Sequence, residues 1–196
     1  MKRKYFTFKP FIDVLFCCLL MLVAILYLLK TEEDQVKTRP PNVIYEVVLT
    51  WHGQSNDDLD IHVKTASGHM VWFGNREGSD GSLAALTHDA LGRRNNQLST
   101  TGGVITQFHE EVVQFRGVSP GENIVNIHVY RKEDEGPIAC TVKLIKIKPY
   151  KEIIVKKLQF EATGDQKTVF RFVTNKAGTV IDINYLPINL VTALPQ

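Results

Sequence analysis

From Phe11 to Leu29 the chain reads FIDVLFCCLLMLVAILYLL, nineteen residues whose one charge is Asp13. At a helical rise of about 1.5 Å per residue the run reaches roughly 28 Å, close to the thickness of a bilayer's hydrocarbon core. It predicts a cytoplasmic tail over residues 1–10, a transmembrane helix over 11–30 and a linker over 31–42. Lys2, Arg3, Lys4 and Lys9 precede the run, whereas Lys30 is followed almost at once by Glu32, Glu33 and Asp34. The positive-inside rule then places the N-terminus in the cytoplasm and everything after Lys30 outside it, which is the periplasm for the inner membrane of a Gram-negative bacterium. A cleaved signal peptide is the competing reading. Against it stand the length of the run, the acid inside it and the lack of a small-x-small cleavage site. Phe16 before Cys17 also argues against a lipoprotein.

A carboxylate inside a transmembrane helix costs about 2.5–3.5 kcal/mol on insertion scales, so such a residue is usually kept for proton or ion transfer. The alternative is structural. Asp13 is the third residue of the run and about one turn from Lys9, near enough to the headgroup layer to cap or pair there. Cys17 and Cys18 read as small hydrophobes of the span.

The stretch Phe8-Lys9-Pro10-Phe11-Ile12-Asp13-Val14-Leu15-Phe16-Cys17-Cys18-Leu19-Leu20 resembles the N-terminal segment of the ExbD/TolR family and, more distantly, MotB. The resemblance covers about the first thirty residues. It implies that Asp13 carries the proton of an ion-driven motor. It further implies that this chain is a homodimer whose two helices sit within a ring of a multi-span ExbB, TolQ or MotA-like partner. Protons are then the coupling ion, and no other cofactor is implied.

Beyond residue 42 the chain reads as β-structure. Val43, Tyr45, Val47, Leu49 and Trp51 share one face at period two, and Leu59, Ile61 and Val63 do the same between polar neighbours. Further runs are 69–73, 111–116, 124–131, 138–148, 152–160, 168–174 and 180–185, giving about nine strands and no helix. The predicted fold is mainly β, an antiparallel sandwich over 43–196. In 138–148, Val142 and Leu144 share one parity and Ile145 and Ile147 the other, which predicts a bulge or two-sided burial. The Gly-, Ser- and Asn-rich stretch 74–103 is expected to be a loop and the first candidate for binding.

A second resemblance covers roughly Val47 to Arg131. The segments Leu49-Thr50-Trp51, Asp58-Leu59-Asp60-Ile61-His62-Val63, Val71-Trp72-Phe73-Gly74-Asn75, Gly81-Ser82-Leu83 and Ser119-Pro120-Gly121-Glu122 are similar in order and spacing to YfaP-type domains. Those are bacterial β-sandwiches, often exported. The chain departs from that pattern at Thr87–Asn96, where an Asp- and Gly-rich stretch would be expected.

Asp57, Asp58, Asp60 and Asp80 are candidates for a hard cation such as calcium, since they offer oxygen ligands. Their spacing fits no EF-hand, and Asp57 and Asp58 equally suit a turn that caps the strand. The six His residues show no paired-ligand spacing and read as surface or strand positions. Cys140 reads as a buried strand residue. Trp51, Trp72 and Phe73 are expected to be core or, alternatively, a sugar-stacking surface.

Composition narrows the function classes. With 44% hydrophobic and 22% charged residues and only 3 Cys, the chain is not a disordered, collagenous or disulfide-framework protein. Five of its 23 Lys and Arg lie in the first thirty residues against one of its 21 acids, which leaves a mildly acidic body with no basic, aromatic-interleaved stripe for nucleic acid. No G-x-S-x-G or phosphate loop supports an enzyme. Two functions are carried forward. The first is a motor subunit whose exported sandwich transmits force to, or binds, a periplasmic or cell-wall target. The second is an anchored envelope protein that binds a glycan or protein and whose helix only tethers it to the lipid bilayer.

Overall fold

The computed structural model describes residues 9–35, 42–91, 108–117 and 119–191, with helix side chains described over 11–25. The chain divides into two units, Met1–Pro41 and Asn42–Gln196.

The first unit is helix α1, Lys9–Gln35, of 27 residues. Its backbone includes Lys9 and Pro10, so the predicted tail is helical at its end. It also runs on through 31–35, the first part of the predicted linker. Pro10 is compatible with this because the first turn of a helix has no intrahelical partner for its N–H groups. Over 11–25 every side chain is exposed, the large apolar ones at 52–72% of their surface. Among the described residues no helix is long and apolar enough to cross a membrane.

The second unit is mainly β, with every strand pair antiparallel. One five-stranded sheet has the order β4-β5-β1-β7-β8: Ala84–His88, Phe108–Phe115, Tyr45–His52, Ile138–Lys146 and Lys151–Phe160. The other has the order β10-β9-β6-β2-β3: Val180–Asn184, Gln166–Thr174, Gly121–Arg131, Asp58–Lys64 and Met70–Val71. The two sheets form the predicted sandwich.

Alternation builds the core. Tyr45, Val47, Leu49 and Trp51 of β1 and Leu59, Ile61 and Val63 of β2 are buried, together with Val125, Ile127 and Val129 of β6 and Val142 and Leu144 of β7. Phe160, Phe170 and Phe172 are the largest additions. Each such side chain contributes about 1.5–3 kcal/mol by leaving water. The mixed parity of 138–148 corresponds to a register shift in the β7–β8 pairing between Leu144 and Ile145, as a bulge requires.

Three strand readings are corrected. Among the described residues ten strands form where about nine were expected, because Ala84–His88 pairs with β5 from within the stretch taken for a loop. Its Ala, Leu and Thr carry a weak strand pattern beside the glycines of 74–81. The strand expected over 69–73 shortens to Met70–Val71, because Trp72 turns back to bridge Asn75. β5 begins at Phe108 rather than at Glu111.

Substitutions at an inward position on β9 and an outward position on β8 check the assignment of the sheet faces. Phe170→Ala, at a fully buried position, is expected to lower the unfolding free energy by about 3–5 kcal/mol. Val155→Ala, at a position 48% exposed, is expected to change it by about 0.5 kcal/mol or less. Urea denaturation of both variants measures the contrast.

Candidate functional site

Strand β5 sends His109, Glu111, Val113 and Phe115 to the inner face, opposite Trp51, Leu49, Val47 and Tyr45 of β1. Three of these suit a core. Glu111 is a carboxylate at a core position, 1% exposed.

Its place follows from an incomplete sheet edge. β3 pairs only with Val63 and Lys64 of β2, and Ile61 is matched only with Ile127 of β6. The Ile61 N–H points away from β6, and it donates to Glu111 Oε2 at 2.7 Å. A side chain from one sheet thus serves as the missing strand partner for the other. The buried donor would otherwise cost about 1–3 kcal/mol.

Among the described residues, the second oxygen, Glu111 Oε1, meets no N–H or O–H donor. It faces further acids instead. Carboxylate oxygens of Asp60, Asp89 and Glu111 all lie within 4.8 Å of one another. Asp60 comes from β2, Asp89 from the residue after β4, and Glu111 from β5. Asp60 is 5% exposed, and its Oδ2 has only His128 Nδ1 nearby, at 3.8 Å, beyond hydrogen-bonding reach. Arg76 pairs with Asp89 at 3.3 Å from a half-exposed position. Burial raises Glu111 well above the usual carboxylate range, and the negative charge of Asp60 adds to it. The Ile61 N–H acts the other way, and Asp89 raises Glu111 further. Converging carboxylates of this kind can share a proton or hold a cation.

A cleft of about 220 Å³ opens onto the cluster, lined by Asp58, Asp60, Phe73, Asp89, Leu91, Tyr130 and Arg131. Its rim is aromatic. Trp72 stacks on His62 with centroids 5.7 Å apart, meets Phe73 edge-on at 4.6 Å, and Phe73 meets Tyr130 at 5.9 Å. Burial lowers the basicity of His62, against the opposing effect of Asp60. A larger depression of about 650 Å³ lies over β1, β7 and β8. Its lining places Lys157 and Lys167 beside mostly neutral side chains and gathers no comparable set of acids.

The acids singled out from sequence separate into two groups. Asp60 belongs to the cluster and Asp58 lines the cleft. Asp57 caps a turn, its Oδ1 accepting from Glu133 N at 2.7 Å and Asp134 N at 3.0 Å. Asp80 organises another, accepting from Thr65 Oγ1 at 2.5 Å, from Ser82 Oγ at 2.5 Å, and from Ser67. Burial alone would raise Asp80, but the hydroxyls of Ser67, Ser82 and Thr65 with the Ser82 N–H outweigh it and bring it to about 2. Glu111 and Asp89 were missing from the sequence-derived set. Extending the alternation of Val113 and Phe115 back by one step would have put Glu111 on the core face.

Trp51 is core, its indole donating to Asp57 O at 3.1 Å and its ring 5.0 Å from that of His109. Phe73 is 42% exposed and Trp72 half-buried. Cys140 is buried as expected, and burial pushes its thiol up to about 12. Asp13 lies on α1 in the other unit, with its side chain exposed. The part of the predicted binding stretch from 92 to 103 lies outside the described residues.

Comparison with protein-family models, with curated proteins and with solved structures found no match to this chain.

Two pH dependences follow. Glu111 ionises at a higher pH in the folded than in the unfolded chain, so the folded state holds the extra proton, and stability falls as pH rises from about 4.5 through the raised value. In the presence of a chelator, Glu111→Gln is expected to flatten that fall in melting temperature between about pH 4.5 and 8. A difference between wild type and variant that is constant over this range contradicts the assignment. For Asp80 the sign reverses. Its stabilisation is present above about 3.8 and is lost as pH falls towards 2. Asp80→Asn is therefore expected to be less stable than wild type at pH 7, with urea midpoints converging as the pH approaches 2.

Proposed function

We propose that this chain is a single-pass inner-membrane subunit of an energy-transducing complex driven by the proton-motive force, of the ExbD/TolR/MotB kind. The reading rests on one observation. Between Phe11 and Ile25 helix α1 carries one acid, Asp13, among large apolar side chains that are 52–72% exposed and so call for lipid or a partner's helices as cover. The match of its Pro-Phe-Ile-Asp-Val sequence to the ExbD/TolR pattern supports the same assignment.

The mechanism uses the two charge states of one carboxyl group. Protonated, Asp13 faces an apolar partner surface at little cost. Ionised, it requires a polar or hydrated site, because a bare charge in hydrocarbon costs several kcal/mol. A ring of multi-span subunits around a pair of these helices would offer the two environments in turn. Each proton moving down its gradient then biases relative motion of ring and helix pair, and the sandwich passes that motion to a periplasmic or cell-wall target.

A second reading, an anchored envelope protein that binds a glycan or protein, draws on the aromatic rim of the cleft, where Phe73 and Tyr130 stand exposed beside one another. In that reading α1 is only a tether.

Substitution of Asp13 separates the two. In the motor reading Asp13→Asn expresses and inserts normally yet abolishes the cellular function of the locus. Purification from native membranes in mild detergent recovers a multi-span partner in ring-like excess over two copies of the chain. A chain recovered without any multi-span partner, together with full function of Asp13→Asn, rules the motor out in favour of the tether.

A further inference from the structure

We propose that Asp60, Asp89 and Glu111 form a calcium site at the floor of the cleft, with its open side facing solvent. The inference concerns the sandwich alone and stands whether or not Asp13 carries protons.

The argument starts from oxygens without donors. Asp60 is 5% exposed and Glu111 is 1% exposed, carboxylate oxygens of both converge within 4.8 Å on each other and on Asp89, and among the described residues Asp60 Oδ2 and Glu111 Oε1 are buried without a hydrogen-bond donor. Burying an unpaired carboxylate oxygen is costly, and natural interiors rarely tolerate one without a counter-charge or a donor. One proton shared between Glu111 and Asp89 would satisfy that pair and leave Asp60 Oδ2 bare. A cation among the three satisfies all of them together.

The donor chemistry selects the ion. Every ligand is a carboxylate oxygen, the set that hard cations take, whereas zinc and copper sites draw on imidazole and thiolate. The donor atoms lie no more than 4.8 Å apart, about twice a calcium–oxygen bond of 2.3–2.6 Å. Magnesium requires near-octahedral geometry at about 2.0–2.1 Å and keeps most of its water. Three carboxylates from three strand regions, with a cleft admitting water to the remaining positions, suit the more tolerant calcium shell. The positive groups nearby are engaged elsewhere or at a distance, since Arg76 holds Asp89 from a half-exposed position, His128 stands 3.8 Å from Asp60, and Arg131 in the cleft wall pairs with Glu133 at 3.1 Å.

The ligands also explain the local architecture. Glu111 uses Oε2 to hold the Ile61 N–H and presents Oε1 to the cluster, so one side chain joins the two sheets and faces the ion. Calcium would tie β2, β5 and the segment after β4 together at the edge where β3 is too short to cover β2.

Calorimetric titration of the chelator-treated full-length chain in detergent, near pH 7.5, tests the assignment with CaCl2 and MgCl2 as probes. The expected result is one calcium per chain with an affinity of the order of 10⁻⁴–10⁻³ M, as in extracellular calcium modules, and a raised melting temperature in calcium. Magnesium is expected to bind at least about tenfold more weakly. Asp60→Asn and Glu111→Gln should each weaken calcium at least about tenfold, whereas Asp80→Asn should leave the affinity unchanged. Wild-type protein that shows neither heat nor a melting shift up to about 10 mM calcium overturns the proposal without reference to any variant. Undiminished calcium binding in both variants overturns this ligand set, and equal or tighter magnesium binding overturns the choice of ion.

Discussion

The sandwich depends on how the open edge of β2 is closed. A two-residue β3 leaves the Ile61 N–H without a backbone partner, and a buried, unpaired amide would weaken the sheet where it meets its neighbour. Glu111, reaching from β5 of the opposite sheet, supplies the acceptor. That solution puts a carboxylate at a core position and leaves its second oxygen to be satisfied. The gathering of Asp60 and Asp89 around Glu111, and the cleft above them, are best understood as parts of one arrangement that began with a short strand.

Much of the fold was legible because alternation is a strong signal where one face is buried. Val47, Leu49 and Trp51 of β1 and Leu59, Ile61 and Val63 of β2 could be assigned to the core from period two alone, and the parity change at Ile145 marked a real bulge. The site was less legible. Asp60 stands out because it sits between core residues, but Glu111 reads as solvent-facing when residue type is weighed before register. Asp89 follows a strand that the glycines upstream disguise as loop. Asp57 and Asp80 illustrate the converse. An acid near a turn is as useful for holding backbone N–H and hydroxyl groups as for holding an ion, and only the observed partners distinguish the two.

The helix and the sandwich present different problems of solvation. In the sandwich, apolar side chains find cover between the two sheets, and buried donors such as the Trp51 indole and the Ile61 N–H find acceptors nearby. Along α1 the large apolar side chains from Phe11 to Ile25 are 52–72% exposed. Asp13 is the single acid in that setting, which is why its two charge states can couple to motion in the proposed complex. In the sandwich, the proposed calcium site would stiffen the edge at which the aromatic rim of the cleft stands.

Amide hydrogen exchange at Ile61, followed by NMR in the full-length chain, tests the account at its centre. The predicted result is slow exchange in wild type, comparable to that of Ile127 on β6, and selective acceleration at Ile61 when Glu111→Leu removes the acceptor while the inner sheet amides stay protected. Rapid exchange at Ile61 in wild type, or protection that survives the loss of the Glu111 carboxylate, would contradict the claim that this side chain closes the edge of β2.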